Sequence, residues 1–255
     1  MTSGDNGGWR TNSEAFLSSS RCNIRRIYKR WQNGGISAED FRKHFGDEPV
    51  IVVGAKDNSR CRDVCRKDAL LAAYGDHEVI LSSANTFSHD KLEVPFREYL
   101  GSLFAPQDID TPANNSWYLF GDNNHKEWEA VFSEYQQPEY ILDDERLGGF
   151  TAALSFGIGA SGTGVPFHVH GPGFSEVLWG RKRWFLTHKD EKPDFSPDET
   201  TLMWLRTRYY SIMQSDFRGK LFECTIGPGE ALYFPDHWWH ATLNIGETVF
   251  MSTFT

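Results

Sequence analysis

The chain has 255 residues, 39% hydrophobic and 15% aromatic, with 9 Trp and 19 Phe, and a formal net charge of −9 from 26 basic against 35 acidic side chains. So large an aromatic share excludes a disordered chain, and the acidic balance argues against phosphate backbones and anionic lipid as partners. No apolar run approaches the roughly 18 residues of a membrane span; the longest, Pro49 to Ala55, is strand-sized.

Met1 to Ser20 is polar, rich in Gly and Ser, and carries no apolar stretch of the signal-peptide kind. It reads as a disordered leader over residues 1–21, or as a mature N-terminus whose signal has been removed. Ser37 with Asp40 predicts a capped helix through Phe45. Pro49–Ala55 predicts a buried strand and Ser59–Tyr74 a helix stopped by Gly75. Val79–Ser82 follows as a strand, Pro95–Phe104 as a short amphipathic helix, Trp117–Phe120 as a strand and Trp128–Tyr135 as a helix. From Ala152 the character changes to short β runs between Gly and Pro turns: Ala152–Ile158, Pro166–His170, Ser175–Trp179 and Lys182–Thr187. A polar insert with a helix near Thr200–Tyr210 leads into Phe222–Ile226, Ala231–Phe234, Ala241–Asn244 and Thr248–Phe254. Many short strands at regular spacing predict a β-sandwich or barrel. With no repeat and no linker, the expectation is one mainly β (α+β) domain over residues 22–255, helical in its N-terminal half, with the barrel core from about 117 to 255.

Of the four cysteines, Cys61 and Cys65 are i, i+4 on a helix, a metal-ligand spacing that lacks a second Cys pair. Two buried thiols, or a helix Cys bridged to Cys22, remain open, and Cys224 is not assigned a partner. Asn114-Asn115-Ser116 is an N-glycosylation sequon in a Pro- and Asn-rich loop, which makes Asn114 a candidate glycan site.

The nine histidines are unequal. His168 and His170 alternate in a strand pattern, so both face one side. His240 follows a strand and turn that bring it back across a barrel. Two imidazoles from one strand and a third from a distant one make a facial metal set with open positions. His44, His77, His89, His125 and His188 sit among polar neighbours and read as ordinary; His237 reads as a metal neighbour or a solvent-facing turn. Lys182 alternates with Trp184 and Leu186. If that face is interior, its ammonium needs an anion, for which a ligand carboxylate would serve.

Four segments then carry a resemblance. Gly162-Thr163-Gly164-Val165-Pro166-Phe167-His168-Val169-His170, Gly180 to Leu186, Pro228 to Pro235 and Trp238 to Asn244, with Pro49–Ala55, Tyr118-Leu119-Phe120 and Gly121-Asp122-Asn123-Asn124 ahead of them, resemble the JmjC domain of the cupin superfamily over roughly residues 35–255. The resemblance implies a double-stranded β-helix, a jelly-roll barrel, with Fe(II) and 2-oxoglutarate at its mouth. It implies His168 and His240 as metal ligands, Lys182 as the cosubstrate lysine, and Tyr118 and Ser252 as hydroxyls that bind 2-oxoglutarate. It also implies the lumen of the endoplasmic reticulum, with a signal removed from this chain; the sequon and the cysteines agree.

Two positions depart from that pattern. His170 stands where the family's ligand carboxylate would be, leaving a divalent ion at +2 instead of +1. Val165 stands where a cosubstrate Thr is common. Glu176 is a further conceivable ligand, spaced one or two residues too far. The expectation is therefore a metal-binding JmjC-fold glycoprotein, non-catalytic or weakly catalytic, that binds or regulates a protein partner. An Fe(II)/2-oxoglutarate-dependent protein hydroxylase acting on a protein substrate is the alternative, and a cosubstrate-free metal cupin the third. No nucleic acid and no membrane insertion are expected, and a homo-oligomer stays open.

Overall fold

The structure, a computed structural model, describes residues 5–12, 16–28, 36–121, 126–138, 140 and 152–254. After strand β1 (Arg25–Tyr28), Ser37 caps helix α1 (Ala38–Phe45), its hydroxyl accepting the Asp40 amide at 3.0 Å. Phe41 and Phe45 lie on one face of α1 and are its buried residues. The apolar run Val50–Val53 forms β2, parallel to β1. The predicted helix over Ser59–Tyr74 is two helices, α2 (Ser59–Val64) and α3 (Lys67–Tyr74), parted by Arg66 in an extended conformation. Strands β3 (Glu78–Ser83) and β4 (Lys91–Pro95) form a hairpin, and β4 was not foreseen. Pro95 ends β4, and Phe96–Glu98 (α4) continues into a π-turn over Tyr99–Leu103. Strand β5 (Trp117–Phe120) and helix α5 (Glu129–Glu134) lie where expected. The Gly121–Asn124 motif falls almost wholly outside the described residues.

The C-terminal half supplies β6 (Ala153–Gly159), β7 (Gly173–Thr187), the helices α6 (Thr201–Thr207) and α7 (Tyr209–Gln214), then β8 (Phe222–Ile226), β9 (Glu230–Phe234) and β10 (Trp239–Phe254). Two pairs of predicted strands are thus fused. β7 and β10 are long strands that each turn a corner of the barrel, β7 at Gly180 and β10 at Gly246, both with positive φ. A Cβ on Gly180 would lie 2.3 Å from the Glu247 carbonyl oxygen, so the crossing of the two corners requires glycine there.

Among the described residues ten strands share one sheet in the order β1-β2-β9-β7-β10-β6-β5-β3-β4, with β8 on β7. Except for β1 with β2, the pairings between named strands are antiparallel. This is the jelly-roll barrel of the cupin type. The sheet already takes in β1–β4, ahead of the barrel core expected from residue 117. A large core packs α2, α3 and α5 against the outside of β6, β7 and β10 through Leu70, Tyr74, Trp128, Phe156 and Leu178.

Residues 1–21 were expected to be a disordered leader, and the structure corrects this for 5–12 and 16–21. Trp9 is 1% exposed and its indole N–H donates to the Cys65 carbonyl at 3.0 Å. Leu17 is buried, and its carbonyl accepts from Arg183 at 3.1 Å. A bridge from a helix cysteine to Cys22 is also corrected. Cys22 is joined to Cys224 on β8, while Cys61 and Cys65 are buried free thiols.

This disulfide closes a loop across a sequence separation of 202. On the chain-entropy account so long a loop stabilises by slightly more than about 5 kcal/mol, the upper end of the roughly 0–5 kcal/mol over which measured values scatter. Replacing Cys22 and Cys224 together by Ser should lower the urea midpoint accordingly, while Cys61→Ser should leave the covalent bridge intact, read by thiol counting under denaturant.

Candidate metal centre

Pro166 lacks a backbone N–H, and residues 166–170 do not form the predicted strand. What forms instead is a pairing of residues 162–168 along the first half of β10. Thr242 and Asn244 amides donate to the Val165 and Thr163 carbonyls, and His168 and His240 exchange both backbone hydrogen bonds, at 3.1 and 3.0 Å. In such an antiparallel bridge the two side chains project to the same side. A Cβ on Gly164 would lie 1.8 Å from the Thr242 carbonyl oxygen, so the segment can approach β10 only through a glycine. His170 lies beyond the bridge and is held by its carbonyl, which accepts the His237 amide at 3.0 Å.

The three rings converge. Centroids lie 5.2 Å (His168–His170), 4.2 Å (His168–His240) and 4.7 Å (His170–His240) apart. The candidate ligand nitrogens all fall within 4.8 Å of one another, and His170 Nε2 is 3.1 Å from His240 Nε2. Two nitrogens bound to one ion at about 2.1 Å would be roughly 3–4 Å apart. Each Nδ1 lies 2.8 Å from a backbone carbonyl oxygen: Pro166 for His168, Gly171 for His170 and Trp238 for His240. A carbonyl only accepts, so each Nδ1 carries the proton and each Nε2 keeps a lone pair. Burial pushes His168 down to about 4 and His240 well below the ordinary imidazole range, and neighbouring imidazoles push both further. Burial lowers His170 as well. At neutral pH three uncharged rings turn lone pairs on one point, an arrangement that repels itself until a cation occupies it.

Lys182 shares the cavity, together with Ser175, Ser252, Thr242, Trp184 and Val165. It is 3% exposed, and burial lowers its pKa well below the usual lysine range. Among the described residues no carboxylate forms an ion pair with it, so the interior reading of its face holds. Ser252 and Ser175, opposite each other on β10 and β7, are hydrogen-bonded at 3.1 Å. Tyr118 is not among the lining residues, and its hydroxyl pairs with Ser88 at 3.1 Å. Phe120, two residues on, takes that place. Glu176 is apart from the cluster: it faces the helix layer, where Asn58 donates at 2.8 Å and Tyr135 at 3.3 Å. His237 is exposed and pairs with Asp236.

Aromatic lining was the missed feature. Phe120, Phe234, Phe250 and Phe254 surround the cavity. Phe250 follows from period two, since it shares a face with Ser252 and Phe254. It lies opposite Gly157 in the register, where a Cβ would come within 2.3 Å of the ring, and the ring centroid is 3.1 Å from Lys182 Nζ. The remaining cavity is about 20 Å³, space for little more than one water. The residues thus fit a divalent metal. They do not fit 2-oxoglutarate, whose distal carboxylate would need the ammonium face that Phe250 covers.

A barrel of this topology with metal-ligating side chains at one end is the cupin architecture, and the Cupin-like domain family model matches residues 23–252. The chain belongs to the cupin-like JmjC family. It is similar to JmjC domain-containing protein 8 of Mus musculus, 46% identical over 97% of this chain and 89% of the relative, and to that of Homo sapiens at the same identity and coverage. At 24% identity over 95% of this chain and 64% of the relative it is similar to the bifunctional arginine demethylase and lysyl-hydroxylase psr-1 of Caenorhabditis elegans.

Burial raises the Glu176 carboxyl to about 7, against the hydrogen bonds from Asn58 and Tyr135 that favour its ionised form. The folded state therefore binds the proton more tightly than the unfolded state. Its contribution is full below the unfolded pKa near 4.5 and is lost as pH rises through about 7. Thermal stability should fall across that window by an amount on the order of 3 kcal/mol. Glu176→Gln should flatten the profile there, as followed by melting temperature against pH.

Proposed function

We infer that this chain is a metal-holding JmjC-fold protein whose altered centre serves binding or regulation, with little or no oxygenase turnover. One observation carries the reading: three neutral imidazoles converge in a cavity whose lining, among the described residues, contains no carboxylate and whose lysine is covered by Phe250. His168, His170 and His240 would hold the metal through Nε2. An iron ion there would supply redox and Lewis-acid chemistry. This chain's own residues fix the ring tautomers, keep the site nearly dry and present one buried ammonium. The Fe(II)/2-oxoglutarate-dependent protein hydroxylase is the second reading. It is favoured by the lysyl-hydroxylase in the psr-1 name and by His168, His240 and Lys182 standing together, and it requires Phe250 to leave Lys182.

Manganese or cobalt should raise the melting temperature, and His240→Ala should abolish the rise. With iron, ascorbate and 2-oxoglutarate, succinate should stay at the background of the His240→Ala protein. Succinate release above that background, with or without a peptide, would favour the hydroxylase.

The lumen of the endoplasmic reticulum is the compartment we propose. The Cys22–Cys224 bridge supports an oxidising environment. Asn114, exposed on a one-turn helix over Ala113–Asn115, supports a glycan. A protein is the proposed partner, since a net charge of −9 disfavours a phosphate backbone. Among the described residues no helix is long and apolar enough to cross a membrane. Expressed through a eukaryotic secretory route, the protein should shift on a gel after glycosidase treatment, and Asn114→Gln should remove the shift.

A further inference from the structure

The cavity holds an imbalance of charge and of hydrogen bonds. A divalent ion on three uncharged imidazoles keeps its full +2, and the donor Lys182 Nζ sits in the same cavity. Among the described residues, none of those that line the cavity is Asp or Glu. Among the described residues the buried carboxylates are engaged elsewhere: Glu176 with Asn58 and Tyr135, Glu223 with Arg183, at 2.7 Å, and Tyr209, at 2.6 Å, and Glu247 with Lys67, at 2.8 Å. A buried cation without a counter-charge is costly. A second buried donor is also unanswered. The indole Nε1 of Trp184, another lining residue, has no acceptor among the described residues. Charge and donors both call for an anion, and the space decides its size. About 20 Å³ remains, with the Phe250 ring laid on Lys182 and held there by the missing side chain of Gly157.

We propose that the metal-loaded centre recruits a small monoanion, of the size of chloride or at most formate, into the cavity it shares with Lys182. In this proposal Phe250 is the residue that excludes keto acids with two carboxylates. The inference rests on the metal-centre reading and adds the ligand class. Metal and anion then bind cooperatively, because each supplies the charge the other lacks, and the coupling is reciprocal.

Cobalt(II) is the probe, titrated into the purified chain by calorimetry and visible spectroscopy in perchlorate buffer, with and without millimolar formate. Formate should tighten cobalt by about tenfold or more and change the d–d bands, whereas 2-oxoglutarate should do neither. Lys182→Met should keep cobalt binding and lose the formate effect. Phe250→Ala, and Phe250→Leu should the first not fold, should admit 2-oxoglutarate and give it a cobalt-tightening effect it lacks in the unaltered chain. Cobalt binding that ignores formate, or that 2-oxoglutarate tightens without any change at Phe250, overturns the proposal while leaving the metal centre standing. No cobalt binding in either buffer overturns the metal-centre reading itself, and this inference with it.

Discussion

The register of β10 along β7 and along residues 162–168 is the constraint on which the site depends. It sets His240 opposite His168, Ser252 opposite Ser175 and Asn244 opposite Lys182, and along β6 it sets Phe250 opposite Gly157. A slip of one residue would turn His240 and Phe250 out of the barrel and Ala241 and Met251 into it. The register is pinned at both corners by Gly180 and Gly246, and by a bulge between Ile245 and Val249. It is pinned again by the packing on either face of β7: Lys182 and Trp184 look into the barrel, while Arg183 and Phe185 look outward to Glu223, Trp204 and Tyr209.

Around that register the chain has assembled a centre that is basic in its ligands and bare of acid. The ring tautomers are set by three backbone carbonyls, so the orientation of the lone pairs is a property of the backbone path and survives changes in neighbouring side chains. The outward face of β7 shows the opposite solution. There the Arg183 guanidinium is answered inside the protein by Glu223 and the Leu17 carbonyl. One strand thus carries two buried basic side chains side by side, one neutralised by Glu223 and one set against the Phe250 ring with no carboxylate partner among the described residues.

Much of this was legible in the sequence, for identifiable reasons. The barrel was readable because short β runs recur at regular spacing between Gly and Pro turns, and the three histidines because period two puts both imidazoles of HxH on one side while a turn brings a distant His back to them. Lys182 was readable in part: its alternation with Trp184 and Leu186 left an interior face and a solvated edge both open, and only the packing of β7 inside the sheet makes it interior. The strand at Pro166–His170 was misread because its apolar pattern ignores the N–H that Pro166 lacks. The fused β7 and β10 were misread because Gly180 and Gly246 look like turns when they are corners within one strand. Tyr118 was carried over from family resemblance, which cannot show that its hydroxyl meets Ser88. The Cys22–Cys224 pairing depends on a contact between residues 202 apart, and no local pattern encodes that.

That separation also bears on how the chain is made. At about 5–20 residues per second of synthesis, Cys224 follows Cys22 by roughly 10–40 s. During that interval Cys61 and Cys65 are the thiols available to Cys22. Both end under Trp9 and α5 with no access to an oxidant. Packing of α2 and α3 with α5 against β6 and β7 is what takes both thiols out of reach of Cys22. The bridge therefore waits on a strand made near the end of the chain, and the helical layer that buries Cys61 and Cys65 is what leaves Cys224 as the partner of Cys22.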